Sequence, residues 1–479
     1  MKNLLFIIFL FTSFLARAQK QIEPEKLKED FDALVQELKF QHQGLYEYYN
    51  KSYVDQQLDS IRNTLTQPLT KLEFYKTLTY TLTLTNEGHT AIYLPKKEML
   101  KIGISKSIFP LIAKIYDHEL IITQNYGKEI DGLKKGAKLL SINGNKVSDI
   151  VDAFLPLIIT DGFNQTSKYE WMGGLNFSLL YRLVYGKSNK FTIEVQDFGS
   201  DEIQTFSIPA IRYTRFKSKN AVFEAKEFDF NNFEFEQIND SVAYLSVPSF
   251  GDDDLNYENW YEESFKKIDS LKINHLIIDV QANGGGTEGN ENLLFSYLTE
   301  DNIQKYKKVT MLPKPYLKNR HKEGYIEDKW ALNTSKDSIA ERGNYTLFSQ
   351  YYSDLGYKKP NPDYIYKANV YVLTNGVTFS GGAEFSSLVK MTDRAIFIGE
   401  ETGGAYEGNV SGYSEWVTLP NSKIEIKIPT VHFQINVSPE LKGRGVIPDY
   451  EVAQTWEDYI NTINSKKSFT LRLIKHKVD

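Results

Sequence analysis

The sequence predicts an α/β protein of several domains, and three observations carry that expectation. Apolar residues recur at helical spacing from residue 24 to about 84. Short β-type runs replace them between about 97 and 205. From about residue 236, strand and helix patterns alternate, as they do in a substantially parallel sheet.

The first region reads as three helices. Leu27, Phe31, Leu34, Val35 and Leu38 form one apolar stripe, and Val54, Leu58, Ile61 and Leu65 form the next. Thr70-Lys71-Leu72-Glu73 is a capping box that opens a third helix through Leu78 and Leu82. Asn86-Glu87-Gly88 ends that helix and leaves His89 on a turn.

The second region carries strand-like runs at 119–122 and 190–195, with Asn143-Gly144 as a hairpin signal between them. Residues 151–185 are helical and aromatic and read as an insertion. In the third region the strands are 242–247, 276–280, 370–373 and 395–398. The helices are 257–271, 290–298 and 380–391.

With 479 residues, the chain has room for two to four domains, each able to bury its own core. A net charge of −6 with dispersed Lys and Arg excludes nucleic acid as a partner, because phosphates demand a concentrated basic face. Met1-Lys2-Asn3, an apolar run over 4–15 and Ala16-Arg17-Ala18 have the pattern of a secretory signal peptide cleaved near Ala18. That run is shorter than the roughly 20 residues of a spanning helix. The mature chain is therefore expected in a periplasm or outside the cell, with no membrane insertion after cleavage.

The absence of cysteine excludes disulfides, thiolate catalysis and Cys-based zinc sites. No paired-His spacing and no Walker or dinucleotide motif occurs, so neither metal nor cofactor is expected. Asp252-Asp253-Asp254 reads as a solvated loop. The 31 tyrosines and 29 phenylalanines read first as core.

Two Gly-rich corners stand where strands end, the place at which α/β sheets put their sites. One is Asp279-Val280-Gln281-Ala282-Asn283-Gly284-Gly285-Gly286; the other runs from Thr374-Asn375-Gly376 through Ser380-Gly381-Gly382. Ser380 opens a helix between glycines that leave its hydroxyl uncovered, and the helix dipole there favours an oxyanion. Gly381 N–H is the natural first donor, with Gly285 or Gly286 as the second. Taken alone, Ser380 reads first as a helix N-cap and the glycines as turn punctuation.

Taken together, the corners resemble the tail-specific (C-terminal-processing, tricorn-like) serine proteases of family S41. Residues 276–286 match that family's "LIIDLRxNGGG", and residues 378–384 match its nucleophile segment. Gly399-Glu400-Glu401-Thr402-Gly403-Gly404 matches "GExTxG", and residues 443–452 match "GxGVxPDxxV". The resemblance implies Ser380 as nucleophile, a ClpP/crotonase-like α/β catalytic domain over 236–455 and a peptide or protein substrate. It also implies a PDZ-like β domain over 96–205, because residues 132–147 are similar to the PDZ "SINGxxV" segment. Ile102-Gly103-Ile104 would then be the loop that binds a substrate carboxylate. An N-terminal helical domain (19–95), a linker (206–235) and a C-terminal helix and tail (456–479) complete the expected plan, and a homo-oligomer is compatible with it.

A serine hydroxyl needs a base. The bacterial branch of the family uses a lysine about twenty-five residues after the serine, where this chain has Ala405, and Lys390 comes too early. The tricorn-like branch uses a histidine in a Gly-His turn, matched by Gly88-His89-Thr90, with His432 as the runner-up. The residue that orients the histidine is taken as Glu440, two residues ahead of the Lys442 that stands where the family has glutamate, with Glu87 or no third member as the alternatives. Two rivals stand beside the endopeptidase: a binding protein on the same fold, as in interphotoreceptor retinoid-binding protein, and a hydrolase acting on a non-peptide ester or amide.

Overall fold

The computed structural model describes residues 20–116, 119–217, 232–311, 339–341, 344–347, 363–439 and 441–478. The leader expected at 1–18 lies outside them. Strand β1 (Gln21–Ile22) leads into helix α1 (Pro24–Gln41), whose Pro24 occupies the first turn, where no N–H is required. Helix α2 (Lys51–Thr64) starts where the Asn50 side chain accepts from Tyr53 N–H. Strand β2 (Leu69–Thr70) pairs with β1 and delivers α3 (Lys71–Leu82), opened by the reciprocal Thr70/Glu73 capping box. Asn86 then turns left-handed at φ 47°, which stops the helix and throws Glu87, Gly88 and His89 clear of it.

The expected helical domain is not self-contained. The inward faces of α1, α2 and α3 close over Leu419, Ile424, Ile426 and Ile428, more than 300 positions further along the chain. Strand β3 (Ala91–Tyr93) pairs with residues 425–427 of the same distant segment.

Helix α4 (Lys96–Ile104) precedes the second domain. Its strands are β4 (Leu111–Tyr116), β5 (Glu119–Asn125), β6 (Lys138–Ile142), β7 (Asn145–Lys146), β8 (Lys190–Gln196) and β9 (Ile203–Pro209). Their order is β4-β5-β6-β8-β9, with β7 folded back on β6. Asn143 and Gly144, both at positive φ, make that two-residue hairpin. Between β7 and β8 come α5 (Val147–Phe154), α6 (Thr166–Met172) and α7 (Gly174–Val184). Phe154, Met172, Phe177 and Tyr181 fill the core beneath the sheet, so the expected insertion is one layer of the domain. The domain also runs past residue 205: β9 continues to Pro209, and Ile211 bridges to Ile108.

The third domain contains β10 (Glu234–Gln237), β11 (Val242–Ser246), α8 (Tyr257–Ser270), β12 (His275–Asp279), α9 (Asn290–Ser296) and β13 (Tyr306–Met311). It continues with β14 (Ile339–Glu341), β15 (Asn344–Leu347), β16 (Asn369–Thr374), α10 (Gly381–Met391) and β17 (Ile396–Gly399). It ends with β18 (Gly408–Thr418), β19 (Glu425–Ile435), β20 (Tyr450–Glu451), α11 (Trp456–Ile460) and α12 (Ser465–Val478). The main sheet has order β10-β11-β12-β16-β17-β20 and is parallel except for β10. Helices α8, α9 and α10 cover one face, where Phe265, Leu294 and Phe385 meet Leu276 and Val372. Helix α12 covers the other through Ile474, so the expected C-terminal helix is a structural layer of this domain. A second sheet, β14-β15-β13-β19-β18, also takes β3 on β19.

Register brings the Gly-rich corners together. Asp279 pairs with Leu373 and Thr374 with Gly399, so β12, β16 and β17 end at one level and release their loops side by side.

Candidate active site

Ser380 sits on a strained corner. Strand β16 ends at Thr374, five residues turn, and α10 starts at Gly381, leaving Ser380 at φ 50°, ψ −124°. A residue with a Cβ visits that region only when its surroundings hold it there, and such strain concentrates at reactive positions. Here Phe379 N–H is bonded to Asn283 O on one side and Glu384 N–H to Ser380 O on the other. The side chain does not cap its helix, which leaves the hydroxyl to other partners.

His89 is that partner. Its Nε2 lies 3.1 Å from Ser380 Oγ, and its Nδ1 lies 2.7 Å from Glu87 Oε1. Glu87 also accepts His89 N–H at 3.2 Å and, on its other oxygen, Val410 N–H from β18. With Nδ1–H donated to the carboxylate, Nε2 carries the lone pair that accepts the serine proton. The imidazole packs on Phe379 with centroids 4.7 Å apart and the rings tilted by 32°, and Trp171 braces Phe379 edge-on. Burial holds the His89 pKa below the ordinary value and pushes Glu87 up to about 7. The histidine is thus neutral, as a base must be, near neutral pH.

Opposite the hydroxyl stand the glycines. A Cβ on Gly285 would lie 2.7 Å from both Gly381 N and Ser380 Cβ, and its φ is +100°. A Cβ on Gly286 would lie 2.1 Å from Gly251 N. Only glycine permits this approach. The sequence left Gly285 and Gly286 equal as oxyanion donors, but Gly285 N–H is already bonded to Asn283 Oδ1 at 2.9 Å. Gly286 and Gly381 are the donors that the described fold leaves uncommitted.

The other expected residues are placed as follows. Glu440 lies outside the described residues, and the His89 ring nitrogen it was expected to orient is held by Glu87. Ile102-Gly103-Ile104 is not a loop: it is the last turn of α4, where backbone N–H groups are spent within the helix and the dipole is negative, so it offers no carboxylate site. His432 faces Val410 and Thr310 across the second sheet; burial pushes it down to about 4, and its neighbour His42 to about 3. Lys390 is bound to Asp449 at 2.7 Å, and Ala405 is buried.

Three contributors escaped the sequence reading. Val410 acts through its backbone and has no side-chain signal. Asp161, between Thr160 and Gly162, has the look of turn punctuation, yet it accepts Gly88 N–H at 2.8 Å. Lys305, fully buried behind α10, lies 2.7 Å from Glu291 and 2.6 Å from Glu384, one turn after Ser380. Burial opposes the charge on Glu384, and Lys305 outweighs it, holding the carboxyl below its ordinary range.

The fold is similar to that of known proteins. A solved structure of mature CPAF matches with a TM-score of 0.61 at 15% identity, covering 95% of this chain and 98% of that one. Mature CPAF complexed with lactacystin matches with a TM-score of 0.59 at 15% identity, covering 95% and 99%. Residues 241–452, which span both Gly-rich corners and every strand of the main sheet from β12 to β20, match the family model of Peptidase family S41. The serine-bearing domain, residues 241–452, thus matches Peptidase family S41, and the protein is a serine peptidase.

Proposed function

We propose that this serine peptidase is an exported endopeptidase whose relay is Ser380, His89 and Glu87. The observation that carries the proposal is the continuous chain from Ser380 Oγ to His89 Nε2 at 3.1 Å and from His89 Nδ1 to Glu87 Oε1 at 2.7 Å. His89 Nε2 takes the hydroxyl proton as Ser380 Oγ attacks a peptide carbonyl carbon. The carbonyl oxygen becomes an oxyanion facing the N–H groups of Gly381 and Gly286, each worth roughly 3 to 4 kcal/mol of barrier. Glu87 carries the charge opposite the imidazolium. The proton on Nε2 passes to the leaving amine, an ester to Ser380 remains, and water activated by His89 hydrolyses it and restores the hydroxyl.

The binding-protein rival finds less support. A site that only binds has no need of a serine held at φ 50° with a base 3.1 Å from its hydroxyl. The PDZ-like reading of the second domain keeps the six-stranded antiparallel sheet in its favour, with a substrate added as a strand, but it loses the loop at 102–104. Export rests on the leader-like residues 1–18 alone, and among the described residues no helix is long and apolar enough to cross a membrane.

The test is cleavage of casein by the chain from Gln19 onward, beside Ser380→Ala, with a fluorophosphonate probe reporting the nucleophile. Cleavage and labelling that both vanish in Ser380→Ala are expected, with a loss on the order of a millionfold in turnover. A variant that cuts as well as the parent refutes the site. For export, N-terminal sequencing of protein recovered outside the cytoplasm should begin near Gln19; an intact Met1 there refutes the leader.

A further inference from the structure

Asp161 is 1% exposed beneath the turn that carries His89, and the reaction above does not use it. It belongs to the second domain, and the segment around it is wedged between both halves of the site. Gly162 N–H donates to Asn86 O at 2.9 Å, Phe163 N–H to Gly443 O at 2.7 Å, and Asn164 Nδ2 to Thr402 O at 2.7 Å. One Asp161 oxygen accepts Gly88 N–H at 2.8 Å, and the other meets Ala405 N–H at 3.4 Å. Side-chain atoms of Asp161, Glu87 and His89 all lie within 4.8 Å of one another.

Two carboxyl groups so close and so dry do not both ionise, because their repulsion is little screened. The surrounding donors decide which one keeps the charge. Glu87 receives the ring N–H and the backbone N–H of His89 and the N–H of Val410. Asp161 receives one short N–H and one long one. The proton is therefore better placed on Asp161, where it bridges to Glu87. Burial, then the Glu87 charge, hold the Asp161 carboxyl well above the usual carboxylate range.

We propose that Asp161 is a positioning residue that stays a neutral acid and donates its proton to Glu87, so that the relay beneath His89 carries one negative charge and not two. The proposal rests on the reading of Ser380, His89 and Glu87 as the relay. Tyr48, Glu47, Glu407, Glu384 and Lys427 also face this group. Tyr48 is held neutral by burial, Glu47 is matched by Lys442 and Glu384 by Lys305. Burial also biases Glu407 toward its neutral form. The Asp161 proton is the one that bridges to Glu87 itself. Its departure at alkaline pH breaks the bridge and sets a second carboxylate against Glu87.

Asparagine copies the neutral acid: its Nδ2 donates to Glu87 while its Oδ1 accepts Gly88 N–H. Alanine does neither. The test follows peptide hydrolysis against pH, fluorophosphonate labelling of Ser380 and the infrared carbonyl stretch of protonated carboxyl groups, in the mature wild-type chain, Asp161→Asn and Asp161→Ala. Asp161→Asn should keep kcat/KM within about threefold at pH 7, lose the alkaline fall of the wild-type profile and lose one protonated-carboxyl band. Asp161→Ala should lose about 100-fold in kcat with KM little changed. The inference is overturned if Asp161→Asn is as crippled as Asp161→Ala, keeps the alkaline fall, or shows the same infrared band as wild type. Should Asp161→Ala fail to fold, Asp161→Asn alone decides. A wild-type chain that neither labels nor cleaves refutes the relay itself, and the inference with it.

Discussion

Val410 donates its backbone N–H to Glu87 across 323 positions of sequence, so a strand of the catalytic domain grips the carboxylate that orients a histidine from the first helical region. Glu87→Gln keeps the shape of that grip and changes its chemistry. An amide NH₂ turned toward Nδ1 stabilises the wrong imidazole tautomer, and kcat should fall by about 10⁴ with KM nearly unchanged. Steady-state kinetics on one peptide checks this; a fall confined to KM assigns Glu87 to substrate binding instead.

The pH profile follows from the direction of the His89 shift. Activity needs the neutral ring and the charged Glu87; burial holds His89 below its ordinary value and Glu87 up at about 7, so the acid limb of kcat/KM should have its midpoint near 7 and move below about 6.5 in the residual activity of Glu87→Gln. A limb of Glu87→Gln that stays near 7 contradicts a buried neutral base.

Gly285→Ala tests the close approach of the two corners. The new methyl group has no room beside Ser380 and Gly381, and φ +100° is hostile to alanine. Turnover should drop by roughly 100-fold or more as the oxyanion pocket is displaced. A structure or labelling rate indistinguishable from wild type would show that the corner yields.

Removing Lys305 should cost stability more than chemistry. Lys305→Met strands Glu291 and Glu384 in the interior, at a cost of about 3 to 5 kcal/mol. Urea unfolding reads the loss directly. Adding Glu291→Gln and Glu384→Gln should return part of it, and no recovery would argue that packing, not charge, sets the cost.

His42 and His432 should make the fold acid-sensitive. Both are held neutral in the folded chain, with values of about 3 and about 4, while the unfolded chain takes up protons near 6.5. Depressed folded values mean that stability is fully present above about 6.5 and is lost as the pH falls toward 4. Each ring then accounts for roughly 3 kcal/mol at pH 4. His42→Asn, whose Oδ1 can accept the Gly44 N–H that Nδ1 now accepts, should flatten the melting-temperature profile between pH 7 and 4. An unchanged slope assigns the acid loss to other groups.

What could be read from the sequence was what local chemistry encodes. The Thr70/Glu73 capping box, the Asn143-Gly144 hairpin and the serine between glycines each carry their signal within a few residues. What depends on distant contacts had no such signal. Nothing near Leu27 or Leu58 announces that their core is completed by Ile424 and Ile426. The PDZ resemblance suggested a loop at Gly103, yet α4 holds that glycine in its last turn. From the sequence, Glu440 stood ahead of Glu87, because nothing there shows that the turn after α3 sets Glu87 against the His89 ring. Asp161 had no signal at all, since a buried acid and a turn aspartate look alike in sequence.

Ser380 and His89 stand 291 positions apart, and Glu87 is held in place by a residue even further along. A chain still leaving the ribosome, or drawn out as a thread for transport, therefore contains every group of the relay and none of its distances. Its own unfolded neighbours, the softest substrates within reach, are met by a molecule that has no blade. Those distances exist only where the hairpin of β18 and β19 lies against the first helices, so the unfolded chain has no assembled site.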